Sequence, residues 1–91
     1  MSSINHEIEI INKLGLHARA AAKLVNIASS FTSHVDIEKL GHRINGKSIM
    51  GVMMLAAGKG SKIILHIDGE DAENCLQALI ELINNRFDEA E

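Results

Sequence analysis

Ile4, Ile8 and Ile10 alternate with Asn5, Glu7 and Glu9, a period of two that predicts a half-buried strand from about Ile4 to Ile11. After Gly15 the period lengthens: Ala21, Leu24, Val25, Ala28 and Phe31 recur at helical spacing and predict an amphipathic helix over Ala18 to Ser30. Val35 and Ile37 alternate with His34, Asp36 and Glu38, and a turn at Leu40-Gly41 leads to a short run at His42 to Asn45, which predicts a hairpin. Ser48 stands in an N-cap position ahead of a short helix over Ile49 to Leu55. Gly58-Lys59-Gly60 ends that helix, and Ile63, Leu65 and Ile67 define a fourth strand closed by Gly69. Ala72, Cys75, Leu76, Leu79, Ile80 and Ile83 then share one helical face, with Asp71 and Glu73 in the first turn and an end near Asn84-Asn85. The order β-α-β-β-α-β-α suits an α+β domain with helices stacked on one face of an antiparallel sheet. The acidic tail Asp88-Glu89-Ala90-Glu91 is expected to fray in solvent.

Composition narrows the function classes. A chain of 91 residues fits one domain, expected over residues 1–91, and 46% hydrophobic residues suffice for a core but not for a membrane span. Phe31 and Phe87 are the sole aromatics and the net charge is −3, so neither stacking platforms nor a phosphate-binding basic surface for nucleic acid is present. Cys75 is the one cysteine and reads as a core thiol, and the first seven residues lack the layout of a secretory signal, so a cytoplasmic location is expected. His6, His34, His42 and His66 are scattered over different strands without metal-ligand spacing, and His6 falls on the apolar face of the first strand. No metal and no cofactor are expected.

Lys13-Leu14-Gly15-Leu16-His17-Ala18-Arg19 joins the first strand to the first helix and places His17 at or beside the helix N-cap. Backbone N–H groups are unpaired at such an end, that of Ala18 among them, and with the partial positive charge of the terminus they form an anion site. Arg19 adds a planar cation able to hold two phosphate oxygens. The helix end disfavours imidazolium, so a neutral, nucleophilic ring is expected near pH 7. No carboxylate lies within the motif to act as general base, which favours a carrier over a phosphatase. The competing interpretation, by sequence pattern alone, is a tolerated cap histidine beside a solvated arginine.

Ile49, Met50, Val52, Met53, Met54 and Leu55 cover nearly the whole circumference of the Ser48 helix, so some are exposed. Ile49, Met50, Val52 and Met53, with Lys23 and Lys47, are expected to dock partners, Met being adaptable. Ser48 is first a cap; phosphorylated, it would keep the helix and place negative charge beside an apolar patch. A binding module working through this helix is therefore a second class. A small-molecule sensor with similar element order is a third, although no polar pocket is legible for it.

Gly15-Leu16-His17-Ala18-Arg19, Lys47-Ser48-Ile49-Met50-Gly51-Val52-Met53, the turn at Gly58-Lys59-Gly60, the element order and the last amphipathic helix together resemble the HPr phosphocarrier family of the bacterial phosphotransferase system. The resemblance covers nearly the whole chain. It implies an open-faced sandwich of a four-stranded antiparallel sheet with three helices on one side. It further implies a monomeric carrier rather than an enzyme: enzyme I, charged from phosphoenolpyruvate, phosphorylates Nδ1 of His17, Arg19 steadies the phosphate, and the group passes to an enzyme IIA protein. Regulation by an ATP-dependent HPr kinase/phosphorylase acting on Ser48 is implied as well, and a purely regulatory role without sugar transport is the alternative. The Ser48 context is similar to kinase-controlled HPr, whereas Asn84-Asn85-Arg86-Phe87-Asp88-Glu89 is similar to the nitrogen-related paralogue, NPr. Ala20 departs from the family, which usually carries Pro there; Ala is an excellent helix former, and it leaves a third free N–H near the expected phosphate.

Overall fold

Residues that alternate in polarity alternate in burial. In the computed structural model, which describes residues 2–91, four strands form one sheet: β1 (Ser2–Glu9), β2 (His34–Lys39), β3 (His42–Asn45) and β4 (Lys62–Gly69). Their spatial order is β1-β4-β2-β3, and each neighbouring pair is antiparallel. The register sets Ile4 and Val35 opposite Ile67, Ile37 opposite Leu65, and Ile8 opposite Ile63, so the branched side chains meet on one face. The other face is polar: His66 bonds Asn5 Oδ1 and Glu38 Oε1, each at 2.7 Å, and Asp36 pairs with both His34 and Arg43 at 2.9 Å. His6, opposite Leu65 on the edge strand β1, is half-buried on the apolar side, where the alternation puts it.

Three helices cover the apolar face: α1 (Ala18–Ser29), α2 (Ile49–Met54) and α3 (Ala72–Asn84). Ala20, Ala21, Leu24, Val25 and Ala28 of α1 and Ala72, Cys75, Leu79 and Ile83 of α3 are buried, and the three alanines of α1 permit close approach. This is the open-faced α+β sandwich. The Cys75 thiol is fully buried, and desolvation is the main reason its pKa rises to about 11. Among the described residues no helix is long and apolar enough to cross a membrane, and no group of three or more His, Cys, Asp or Glu side chains could hold a metal ion.

Several boundaries differ from the periodic reading. β1 ends at Glu9, not Ile11, because its partner β4 begins at Lys62, opposite Glu9. Beyond it Ile10 still exchanges bonds with the turn before β4, donating to Ser61 O at 2.8 Å and accepting from Gly60 N at 2.7 Å, which buries Ile10 and turns Ile11 outward. α1 and α2 each stop one residue early, with Ser30 and Leu55 as their C-caps.

Asp71 does not serve its own helix. It occupies the N-cap position of α3 without a capping bond, and its carboxylate instead accepts from Thr32 N (2.8 Å), Thr32 Oγ1 (3.2 Å), Ser33 N (2.9 Å) and Ser33 Oγ. These donors, the Ser33 hydroxyl foremost, hold its pKa down to about 2 from the ordinary 3.8. A depressed carboxylate stabilises the fold above its unfolded pKa, and that contribution is lost as pH falls through the folded value. Asp71→Asn is therefore expected to melt below the wild type at neutral pH, with the gap in melting temperature closing between about pH 4 and pH 2. A gap that persists at pH 2 in thermal denaturation would remove this role.

The C-terminal tail also departs from expectation. Arg86–Asp88 form a 3-10 turn with left-handed backbone at all three residues, which sends the fully buried Phe87 into the core between α1 and α3. Burial of one phenyl ring is worth roughly 2 to 3 kcal/mol, enough to hold a short segment. The chain then folds back, and Lys13 N donates to Glu91 O at 3.1 Å.

Candidate functional site

The segment from Asn12 to His17 is fixed before α1 begins. Gly15 takes a left-handed φ of +66°, which a residue with a Cβ adopts only under strain. The buried Asn12 Nδ2 donates to Gly15 O at 2.8 Å, and Gly15 N donates to Asn12 O at 3.2 Å. Leu16 is buried, and its N–H donates to Ala57 O at 2.8 Å. His17 is thus delivered to the N-cap of α1 with extended backbone, φ −70° and ψ 176°, and its side chain makes no capping bond.

The first helical bond runs from Ala21 N to His17 O at 2.8 Å. The N–H groups of Ala18, Arg19 and Ala20 have no backbone acceptor among the described residues, which is the anion-favouring arrangement of a helix start. α1 starts normally with Ala at position 20, whose side chain is fully buried. Arg19 is exposed and has no ion pair among the described residues. It lines a surface cleft of about 790 Å³ with Leu14, His17, Ala18 and the tail residues Glu89 and Glu91.

The motif itself contains no carboxylate, but the fold supplies one. Glu89 lies with one carboxylate oxygen against His17 Nε2 and accepts from Asn12 Nδ2 at 3.1 Å through the other. Desolvation acts to raise the Glu89 pKa, and the hydrogen bonds from His17 and Asn12, with the charges of His17 and Lys23, outweigh it, so the carboxyl titrates below its usual range. Lys23 is not free for a partner: its ammonium donates to Phe87 O at 2.8 Å and lies 3.5 Å from Asp88, clamping the turn that carries Glu89. Lys13 pairs with Glu91 at 3.3 Å.

At the second position of interest Ser48 is the N-cap of α2, its Oγ accepting from Gly51 N at 3.1 Å. Ile49, Met50, Met53 and Met54 are exposed, Met50 and Met54 by 72% and 77%, and form an uncovered apolar surface. Val52 does not belong to it. Its position on the six-residue helix points it into the core, where it is fully buried. Lys47 is half-buried, and its ammonium is anchored on Phe31 O at 2.9 Å. Sequence pattern does not single out Asn12, Leu14 or Glu89, which the fold places around His17; of the three only Leu14, an apolar residue inside the Lys13–Arg19 stretch, carries a local signal.

Residues 4–85 match a family model described as PTS HPr component phosphorylation site. The chain is 58% identical over 86 residues to the phosphocarrier protein HPr of Pseudomonas aeruginosa, covering 93% of this chain and 96% of that protein. It is 40% identical over 90 residues to the phosphocarrier protein NPr of Shewanella violacea, covering 99% of each. The crystal structure of HPr-C-His from Thermoanaerobacter tengcongensis superposes with a TM-score of 0.90 at 43% identity over the full length of both chains.

Proposed function

This chain belongs to the HPr family of phosphocarriers, and we propose on that premise that His17 accepts a phosphoryl group from enzyme I and gives it to an enzyme IIA protein. The observation that carries this reading is the seat of His17 on the N-cap of α1, beside three N–H groups without a backbone acceptor and with Arg19 in the same cleft. The ring attacks phosphorus with a nitrogen lone pair. The terminal N–H groups, that of Ala18 included, then face the added negative charge, and Arg19 has its fork free to bind two phosphate oxygens. The cleft is shallow and open, which suits a group passed between proteins rather than turned over inside one. The reading takes residues 1–91 as one cytoplasmic, monomeric domain. It is of the HPr rather than the NPr type, a preference supported by the higher identity to HPr. Incubation with enzyme I and phosphoenolpyruvate, followed by mass spectrometry, should give one acid-labile, base-stable phosphate on His17.

The same reading assigns partner docking to the exposed face of α2. Met50 is 72% exposed, well beyond its neighbours Ile49 and Met53, so a charge there disturbs binding without entering the core. Met50→Asp is expected to weaken the complex with enzyme I by about tenfold, the loss of a central apolar contact, while leaving the melting temperature unchanged. Titration calorimetry checks the first and thermal denaturation the second. Ser48 is read as the regulatory position, because a phosphate on this cap oxygen stays compatible with the helix start and sets negative charge beside Ile49 and Met50. An ATP-dependent serine kinase should therefore add an acid-stable phosphate at Ser48, distinguishable from that on His17.

A further inference from the structure

The contact between Glu89 and His17 joins residues 72 positions apart, and Glu89 lies outside residues 4–85, the stretch matched by the family model. Three separate anchors hold Glu89 there: the buried Phe87 ring, the clamp of Lys23 on Phe87 O, and the Asn12 amide on the second carboxylate oxygen. The carboxylate is ionised and has no proton to give, so His17 Nε2 carries the hydrogen in their bond. His17 Nδ1 has no hydrogen-bond partner among the described residues. One nitrogen is tied and the other is left open.

We propose that Glu89 is a positioning residue, which accepts the Nε2–H of His17 and so holds the ring as the tautomer whose Nδ1 lone pair is available to phosphorus. The inference rests on His17 being the phosphoryl acceptor. In the transfer the Nδ1 lone pair forms the N–P bond while the bond from phosphorus to the phosphorylated donor protein breaks, its electron pair leaving with the donor. The ring thereby gains a positive charge, and the Nε2 proton stays in its bond to Glu89, whose negative charge offsets that of the ring without proton transfer. In the reverse direction the protonated ring is the better leaving group, so the same contact serves discharge. The charged groups about the pair are Lys13, Arg19 and Glu91 across the cleft and Lys23 and Asp88 at the turn.

Nitrogen-15 spectra of the His17 ring, recorded on the full chain at a pH where the ring is neutral, read the tautomer without any phosphoryl transfer. Wild type should show the Nε2–H form, and Glu89→Ala a mixture of both forms. With phosphorylated enzyme I as donor, Glu89→Ala should lower kcat for phosphoryl uptake about tenfold with KM unchanged, the size expected when a partner that orients a histidine is lost. Glu89→Gln, which keeps an oxygen acceptor, should recover part of the rate. An unchanged ring spectrum in Glu89→Ala overturns the proposal, as does a changed spectrum with unchanged kcat. Were His17 not the acceptor, His17→Ala would still take up phosphate whatever the spectra showed, so the two failures are separable.

Discussion

His17→Ala is expected to abolish phosphoryl uptake from enzyme I, with acid-labile phosphate falling by more than about a thousandfold, because no second nucleophile occupies the start of α1. Ala18 and Ala20 have no nucleophilic side chain, and Arg19 holds its positive charge and is no acceptor. The fold should survive the change. His17 makes no capping bond, its backbone is extended, and its side chain is 29% exposed, so removal opens no core cavity. The loss of Glu89's partner leaves a carboxylate that still accepts from Asn12. Radiolabel transfer from phosphoenolpyruvate through enzyme I, with circular dichroism on the same sample, checks both halves; retained acid-labile label in a folded His17→Ala protein would exclude His17 as the acceptor.

Gly15→Ala should be the most damaging small substitution near the site. A Cβ at Gly15 would stand 2.4 Å from Ala57 O and 2.6 Å from Gly58 Cα, both backbone atoms, in a conformation with φ +66°. The left-handed backbone alone costs an alanine roughly 1 kcal/mol. Ala57 O cannot retreat without loosening its bond to Leu16 N, so the total is expected to reach about 3 kcal/mol. In a domain of this size that lowers the melting temperature by roughly 15 °C. The surviving folded fraction should also take up phosphate more slowly, since Gly15 and Leu16 set the entry of His17 onto α1. Differential scanning calorimetry and uptake kinetics measure the two effects, and a melting temperature within a few degrees of wild type would show that the Ala57-Gly58 turn yields.

Local pattern carried most of the architecture. β2, β4, α1 and α3 follow from periods of two and 3.6 in stretches where one face is buried, the condition under which period reports structure, and β3 follows from the turn that pairs it with β2. The errors fall where pairing, not period, sets the limit: Ile10 keeps the strand's rhythm and Ile11 extends its apolar run, but β4 has run out of residues opposite them. An all-apolar helix of six residues offers no stripe from which to choose, so pattern puts Val52 on the docking face, and only packing separates the buried Val52 from the exposed Met50 and Met53. Asp71 reads as an ordinary first-turn acid until the loop at Thr32 and Ser33 is brought against it.

The placement of His17, Arg19 and Ser48 at helix starts was legible, because a helix start is written in neighbouring residues: a glycine, a change of period, a cap. The order of elements and the anion-favouring end of α1 were likewise determined by sequence alone. What tertiary structure decided is the far side of the imidazole. An acidic tail with few apolar residues reads as solvated, but the single Phe87 is buried between helices, and the carboxylate two residues further on is thereby carried to His17 Nε2. No local pattern encodes that meeting, because hydrophobic burial at one residue, across more than seventy positions of chain, is what places the charge at another.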